Sequence, residues 1–66
     1  MQIYVNGDPQ PLEAPLNVAE LLARFDLAPQ RVAVEINERL VRRAHFGETA
    51  LQDGDRVEIV TLVGGG

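Results

Sequence analysis

The 66-residue sequence contains no cysteine, and it also lacks lysine, serine and tryptophan. Without cysteine the chain has no disulfide, no thiolate ligand for zinc and no thiol nucleophile. Without lysine it has no side-chain amine for a Schiff base or an isopeptide bond. Any sulfur chemistry that involves this chain must therefore use sulfur from another molecule.

Basic residues are also scarce, since six arginines against ten acidic residues give a net charge of -4. Nucleic-acid binding needs a basic surface that releases counterions, so this balance favours protein partners over nucleic acid. No apolar run approaches membrane-spanning length, and residues 1–7 enter a strand pattern without a charged leader. We therefore expect a cytoplasmic protein, monomeric when free, that does not enter a membrane.

Residues 1–12 predict a β-hairpin. Ile3 and Val5 would share one face of the first strand, with Gln2 and Tyr4 on the other. The Asn-Gly pair that follows tolerates the positive φ of a tight turn. Prolines then recur through the returning strand, and a proline has no N–H for the ladder, so this strand should be short and lie at a sheet edge.

One helix is predicted at residues 17–25. Its apolar residues recur at i, i+3, i+4 and i+7, namely Val18, Leu21, Leu22 and Phe25. Asn17 is placed to cap the helix, and Glu20 follows three residues later as the return half of a capping box.

Three more strands are predicted at residues 32–36, 40–42 and 57–63. In the last one, Glu58 resists burial, so its neighbours Val57 and Ile59 should face inward. Val60 and Leu62 would then face outward, and such exposed aliphatic residues predict a docking surface.

The order strand, strand, helix, strand, strand, strand predicts an α+β domain over residues 1–63, with one helix packed across one face of a small sheet. A flexible glycine tail, residues 64–66, would follow it. The pattern alone does not fix the strand order.

Candidate catalytic groups are few. His45 is the only histidine, and a lone histidine is more typical of a packing or surface residue than of a ligand or a base. Asp53 and Asp55 favour a solvated turn over a calcium site, which needs further oxygen ligands at fixed spacing. The remaining cluster is typical of a hydrated rim: Arg39, Arg42 and Arg43. The sequence predicts no metal site and no cofactor bound by this chain.

The last residues, Gly64, Gly65 and Gly66, directly follow the apolar strand. Terminal glycines can thread a channel that is too narrow for other residues. The carboxylate of Gly66 would be the one group that another enzyme could activate, as an acyl-adenylate formed with ATP. A frayed end or an expression remnant is the alternative interpretation.

Five segments, in order and spacing, resemble the sulfur carrier proteins of the ubiquitin-like β-grasp fold, most closely the ThiS family of thiamine biosynthesis. They are "MQIYVNG", "NVAELL", "VAVEINERLVRR", "LQDGDRVEIV" and the terminal Gly65-Gly66. The resemblance implies that the first and last strands lie side by side at the centre of a mixed sheet, with the helix across one face.

The resemblance also implies a mechanism. An adenylating enzyme of the ThiF type would use ATP to activate Gly66, and sulfur from a desulfurase relay would displace AMP. The resulting thiocarboxylate would supply sulfur to a thiazole synthase of the ThiG type. The chain would be a carrier, not an enzyme, and Gly65 would allow the tail to enter its partners. The family pattern requires only the last two glycines, which leaves the role of Gly64 open. The expected docking residues are Tyr4, Val60, Leu62 and Val63. For Tyr4, the equal alternative is a half-exposed strand aromatic that stabilises the sheet.

Three alternatives remain open at this point. The small subunit of molybdopterin synthase resembles the chain in fold and tail, although such subunits are usually longer. A ubiquitin-like modifier would join Gly66 to lysines of target proteins. A non-covalent β-grasp binding module would not need the terminal glycines.

Overall fold

Within residues 1–62, which the computed structural model describes, the chain forms five strands and one α-helix. The elements are β1 (Gln2–Val5), β2 (Asp8–Pro11), α1 (Val18–Arg24), β3 (Val32–Ile36), β4 (Arg39–Val41) and β5 (Arg56–Thr61). Single 3-10 turns lie at Pro29–Arg31 and Arg43–His45. The order of elements is as predicted. The expectations for Val63, Gly64, Gly65 and Gly66 fall outside the described residues.

The strands form one mixed sheet in the order β2-β1-β5-β3-β4. β5 lies at the centre, parallel to β1 and antiparallel to β3. The proline-containing β2 is an edge strand, as expected, because prolines can be accommodated where no second neighbour needs their N–H. The first and last strands are thus central neighbours, which confirms the predicted α+β β-grasp architecture.

Helix α1 covers one face of this sheet, and the predicted side-chain parity is confirmed. Val57 and Ile59 are buried in the core, whereas Val60 and Leu62 are exposed. Burial of the inward-facing side chains removes apolar surface from water, which stabilises the fold by roughly 25 cal/mol per Å² of buried apolar surface. The other buried residues from the regular elements are Ile3, Val5, Val18, Leu21, Leu22, Val32 and Val34.

The capping box of α1 is present. Asn17 Oδ1 accepts the N–H of Glu20 at 2.8 Å, and Glu20 Oε1 accepts the N–H of Asn17 at 2.9 Å. The helix ends at Arg24, one residue earlier than predicted, with Phe25 as the C-cap. Asp26 follows in the left-handed region at φ 58, a conformation that ends a helix.

Strand β4 begins and ends one residue earlier than predicted. The hairpin turn consists only of Asn37 and Glu38, both at positive φ, 52 and 70. Two left-handed residues form the tight turn that matches strand twist. Arg39 therefore pairs directly with Ile36, which places Leu40 opposite Glu35.

The irregular segment between β4 and β5 closes the end of the core. Its buried residues are Phe46 and Leu51, and the N–H of Leu51 donates to Leu16 O at 2.8 Å.

Asp53 Oδ1 accepts the N–H of Gln2 at 2.8 Å, and Asp55 Oδ2 accepts the N–H of Gln52 at 2.8 Å. The two carboxylates therefore stabilise the turn through backbone hydrogen bonds.

Asn6 joins the first hairpin turn to the central strand. Its Nδ2 donates to Ile59 O at 3.2 Å, and its Oδ1 accepts the N–H of Ile59 at 2.8 Å. Its φ is 50, in the left-handed region that asparagine tolerates. The side-chain amide thus continues the ladder between β1 and β5 where β1 has ended.

Asn6→Ala is expected to lower the free energy of unfolding by about 1–3 kcal/mol, because Ile59 loses two partners and alanine is strained at this φ. Asn6→Gly removes the same side chain, but glycine adopts this φ without strain, so its loss of stability measures the contribution of the hydrogen bonds alone. Urea unfolding of the three proteins measures both contributions. An Asn6→Gly protein as stable as the wild type would contradict the bridging role.

Candidate functional site

The face of the sheet opposite α1 is open in the described part of the chain. Side chains that alternate with the core residues lie on it, and most of them are exposed. The residues of this face are Tyr4, Ala33, Glu35, Leu40, Arg56, Glu58 and Val60. Within residues 1–62, this open face is therefore a candidate surface for a partner.

An apolar patch occupies the end of the open face nearest the tail, and we define it as Ala33, Leu40, Val60 and Leu62. Ala33 and Val60 are cross-strand partners on β3 and β5. The exposed fractions are 66% for Leu40, 57% for Val60 and 54% for Leu62. Contiguous exposed aliphatic residues of this kind mark interaction sites. The structure therefore brings the predicted residues Val60 and Leu62 together on one surface.

Leu40 was not predicted as a docking residue. Its exposure follows from the two-residue turn before it, which pairs it with the exposed Glu35. The Asn-Glu sequence is a weaker turn signal than Asn-Gly, since glutamate rarely adopts positive φ. With that turn assigned, strand alternation alone would have placed Leu40 on the open face.

The last described residue, Leu62, belongs to this apolar patch. The N–H of Leu62 donates to Arg31 O at 2.7 Å, which fixes the chain one residue beyond β5. Gly66 is the fourth residue after Leu62, and a fully extended chain over that distance spans at most about 14 Å. A protein that uses the carboxylate of Gly66 must therefore approach the apolar patch.

Tyr4 lies on the same face but at the other end of β5. It pairs with Arg56, four residues before Val60, a separation of about 13 Å along a strand. Its hydroxyl accepts a hydrogen bond from Gln2 Nε2 at 3.2 Å. The structure thus separates Tyr4 from Val60 and Leu62, and its docking role stays a prediction.

Two glutamates lie between these ends. Glu35 and Glu58 are direct cross-strand partners, and both are exposed. Like charges directly opposite each other destabilise a sheet slightly. The open face therefore has an aromatic end at Tyr4 and an apolar end at Val60 and Leu62, and the acidic row between them ends at Leu40 on β4.

The other candidates for chemistry form no reactive cluster. His45 is exposed, and its carbonyl accepts a hydrogen bond from Thr49 Oγ1 at 2.7 Å. Residues 1–62 hold no group of three or more histidines and carboxylates placed to bind a metal ion. The single helix of this part of the chain is too short to cross a membrane.

Within residues 1–62, the parallel pairing of the first and last strands and the single helix across one face of the sheet define a ubiquitin-like β-grasp domain. The model of the ThiS family matches residues 3–66. The chain therefore belongs to the ThiS family.

Individual relatives agree with this assignment. The sulfur carrier protein ThiS of Thermus thermophilus is 36% identical over 64 residues, which cover 97% of this chain and 98% of that protein. A crystal structure of the thiamine biosynthesis protein (ThiS) from Geobacter metallireducens is similar over the full length of both chains, with a TM-score of 0.85 and 39% identity. The thiazole synthase of Magnetococcus marinus is 41% identical over all 66 residues, but the chain spans only 20% of that protein's length.

Proposed function

We propose that this chain carries sulfur for thiazole formation in thiamine biosynthesis, as a thiocarboxylate on Gly66. The observation that supports it most directly is the apolar patch at the point where the tail leaves the domain. Membership of the ThiS family and the names of the Thermus and Geobacter relatives support the same role. The chain acts as a co-substrate, and its partner enzymes supply the catalysis.

The proposed chemistry takes place at the C-terminal carboxylate. A carboxylate is a poor electrophile, so one of its oxygens first attacks the α-phosphorus of ATP, and pyrophosphate leaves. A sulfur nucleophile from the desulfurase relay then attacks the carbonyl carbon of the acyl-adenylate, and AMP leaves. The relay sulfur is the outer sulfur of a persulfide, so the product is an acyl disulfide. A thiol of the partner enzyme then attacks the donor's sulfur, the S–S bond breaks, a disulfide forms with the donor, and Gly66 leaves as a thiocarboxylate. Gly65 gives the tail the conformational freedom to enter each enzyme.

Three partners follow from this sequence of steps: an adenylating enzyme of the ThiF type, a desulfurase relay, and a thiazole synthase of the ThiG type. The last is supported by the thiazole synthases of Magnetococcus marinus and Paramagnetospirillum magneticum, in each of which the matching segment makes up 20% of the protein. Fusion of a carrier-like segment to a synthase would keep the two at a high effective concentration.

The proposal is tested by the intact mass of the protein after incubation with the adenylating enzyme, ATP and a sulfur donor. A mass gain that matches replacement of one oxygen by sulfur, localised to Gly66 and dependent on ATP, is the expected result. An unchanged mass with a competent enzyme would instead indicate a non-covalent binding module. Attachment to a lysine of a second protein would indicate a modifier.

Leu62→Asp is expected to slow adenylation by about tenfold or more without unfolding the domain, because it places a charge within a desolvated contact. Ala14→Asp is the matched control, since Ala14 is exposed in the loop before α1. Pyrophosphate release measures the rate, and far-UV circular dichroism checks the fold. Equal rates for the two variants would show that the apolar patch does not contact the adenylating enzyme.

A further inference from the structure

A groove of about 380 Å³ lies beside Leu62, the last described residue, and we call it the exit groove. It is formed where the segment after β4 separates from the start of β3. Part of its lining is the apolar patch, through Ala33, Leu40 and Leu62. The buried side chains of Val32 and Phe46 also line it. The exit groove thus offers apolar surface to an incoming side chain.

The backbone of β3 is open toward this groove. Next to the two ends of β3, Arg31 O accepts the N–H of Leu62, and the N–H of Asn37 donates to Arg56 O. Neighbouring antiparallel strands bond through alternate residues, so the odd-numbered residues of β3 direct their N–H and C=O groups toward β5. Val32 therefore turns its N–H and C=O to the opposite side. Strand β4 ends at Val41, opposite Val34, so within residues 1–62 Val32 has no ladder partner on that side.

Two arginines line the exit groove. Arg42 and Arg43 line it and are exposed, and Arg39 precedes them at the start of β4. Half of the six arginines in this acidic chain thus lie within residues 39–43. Guanidinium groups bind carboxylates with charge-assisted hydrogen bonds. The same positive charge disfavours pairing of this edge with a second copy of the chain.

We infer that the exit groove binds a short, extended, acidic segment of the partner protein that receives the tail. The segment continues the line of β4 along β3 and exchanges main-chain hydrogen bonds with Val32, a form of β-strand addition. One of its apolar side chains packs among Ala33, Leu40 and Leu62, and its carboxylates contact Arg42 and Arg43. This inference rests on the proposed function only in taking the partner to be an enzyme that uses the tail.

Affinity measurements test the charge requirement. Arg42→Glu and Arg43→Glu are each compared with Arg24→Glu, which makes the same charge change at an exposed position of α1. Calorimetric titration of each variant into the adenylating enzyme and into the thiazole synthase gives the affinities. We expect a loss of about tenfold or more for the groove variants with at least one enzyme, and about twofold or less for Arg24→Glu. Equal affinities for all three variants with both enzymes would overturn the proposal.

Amide exchange tests the extended geometry. In the complex, the N–H of Val32 should exchange at least about tenfold more slowly than in the free domain, because it gains a hydrogen-bond partner. Unchanged exchange at Val32 in an arginine-dependent complex would overturn the strand addition. The two proposals can also fail separately. If binding depends on the arginines but the wild type gains no mass in the sulfur-loading experiment, the sulfur-carrier function is refuted and the exit groove is still supported.

Discussion

A chain that lacks Gly66 is expected to lose sulfur loading by about a hundredfold or more, while its free energy of unfolding stays unchanged. The deletion leaves a carboxylate on Gly65, but it shortens the reach of the tail by about 3.5 Å. A misplacement of about 1 Å at a reacting group can already cost a hundredfold in rate. Intact mass after incubation with the adenylating enzyme, ATP and a sulfur donor measures the loading.

Gly47→Ala is the control for this deletion, because a Cβ at Gly47 would meet no atom within 4 Å. That variant should load sulfur at the wild-type rate. Normal loading of the chain without Gly66 would mean that the adenylating enzyme does not position this carboxylate. The proposed function would then need a different reacting group.

Leu22→Ala is expected to lower the free energy of unfolding by about 2–5 kcal/mol, the usual cost of a large cavity in a core. Leu22 lies on α1 with 0% of its surface exposed, against the inner face of the sheet. A domain of this size has a total stability of only about 3–10 kcal/mol. The variant should therefore be substantially unfolded near body temperature, and its sulfur loading should fall with the folded fraction.

Leu40→Ala makes the same chemical change at an exposed position on the apolar patch. Its stability should stay within about 0.5 kcal/mol of the wild type, because little apolar surface is lost from the core. Urea unfolding of both variants gives the comparison. Equal destabilisation by the two substitutions would contradict the assignment of the inner and outer faces.

The sequence predicted the regular elements well because their burial follows a simple period. Val18, Leu21 and Leu22 recur with the helical repeat, and Glu58 fixed the parity of β5. Phe46 and Leu51 are equally buried, but they come from an irregular segment in which no periodic signal exists. The strand order came from the family resemblance, since local pattern carries no information about which distant strands pair.

The sequence did not predict the hydrogen bonds between side chains and distant backbone groups. Asn6 was assigned to a turn on its residue type, but its two hydrogen bonds to Ile59 depend on the parallel neighbour β5. Asn37 behaves likewise, because its Oδ1 accepts the N–H of Arg56 at 3.0 Å. The exit groove also results from two distant segments that approach each other only in the folded sheet.

The parallel contact between β1 and β5 also determines when this domain can fold. Tyr4 pairs with Arg56, so the centre of the sheet closes only after nearly the whole described chain has been synthesised. Contacts between residues so far apart in sequence slow folding, because the loop-closure entropy is lost before they form. A truncated translation product would lack the central strand and the surface beside it. Under the proposed function, an adenylating enzyme would therefore meet the docking face only on chains that contain β5, and shorter fragments would not be loaded with sulfur.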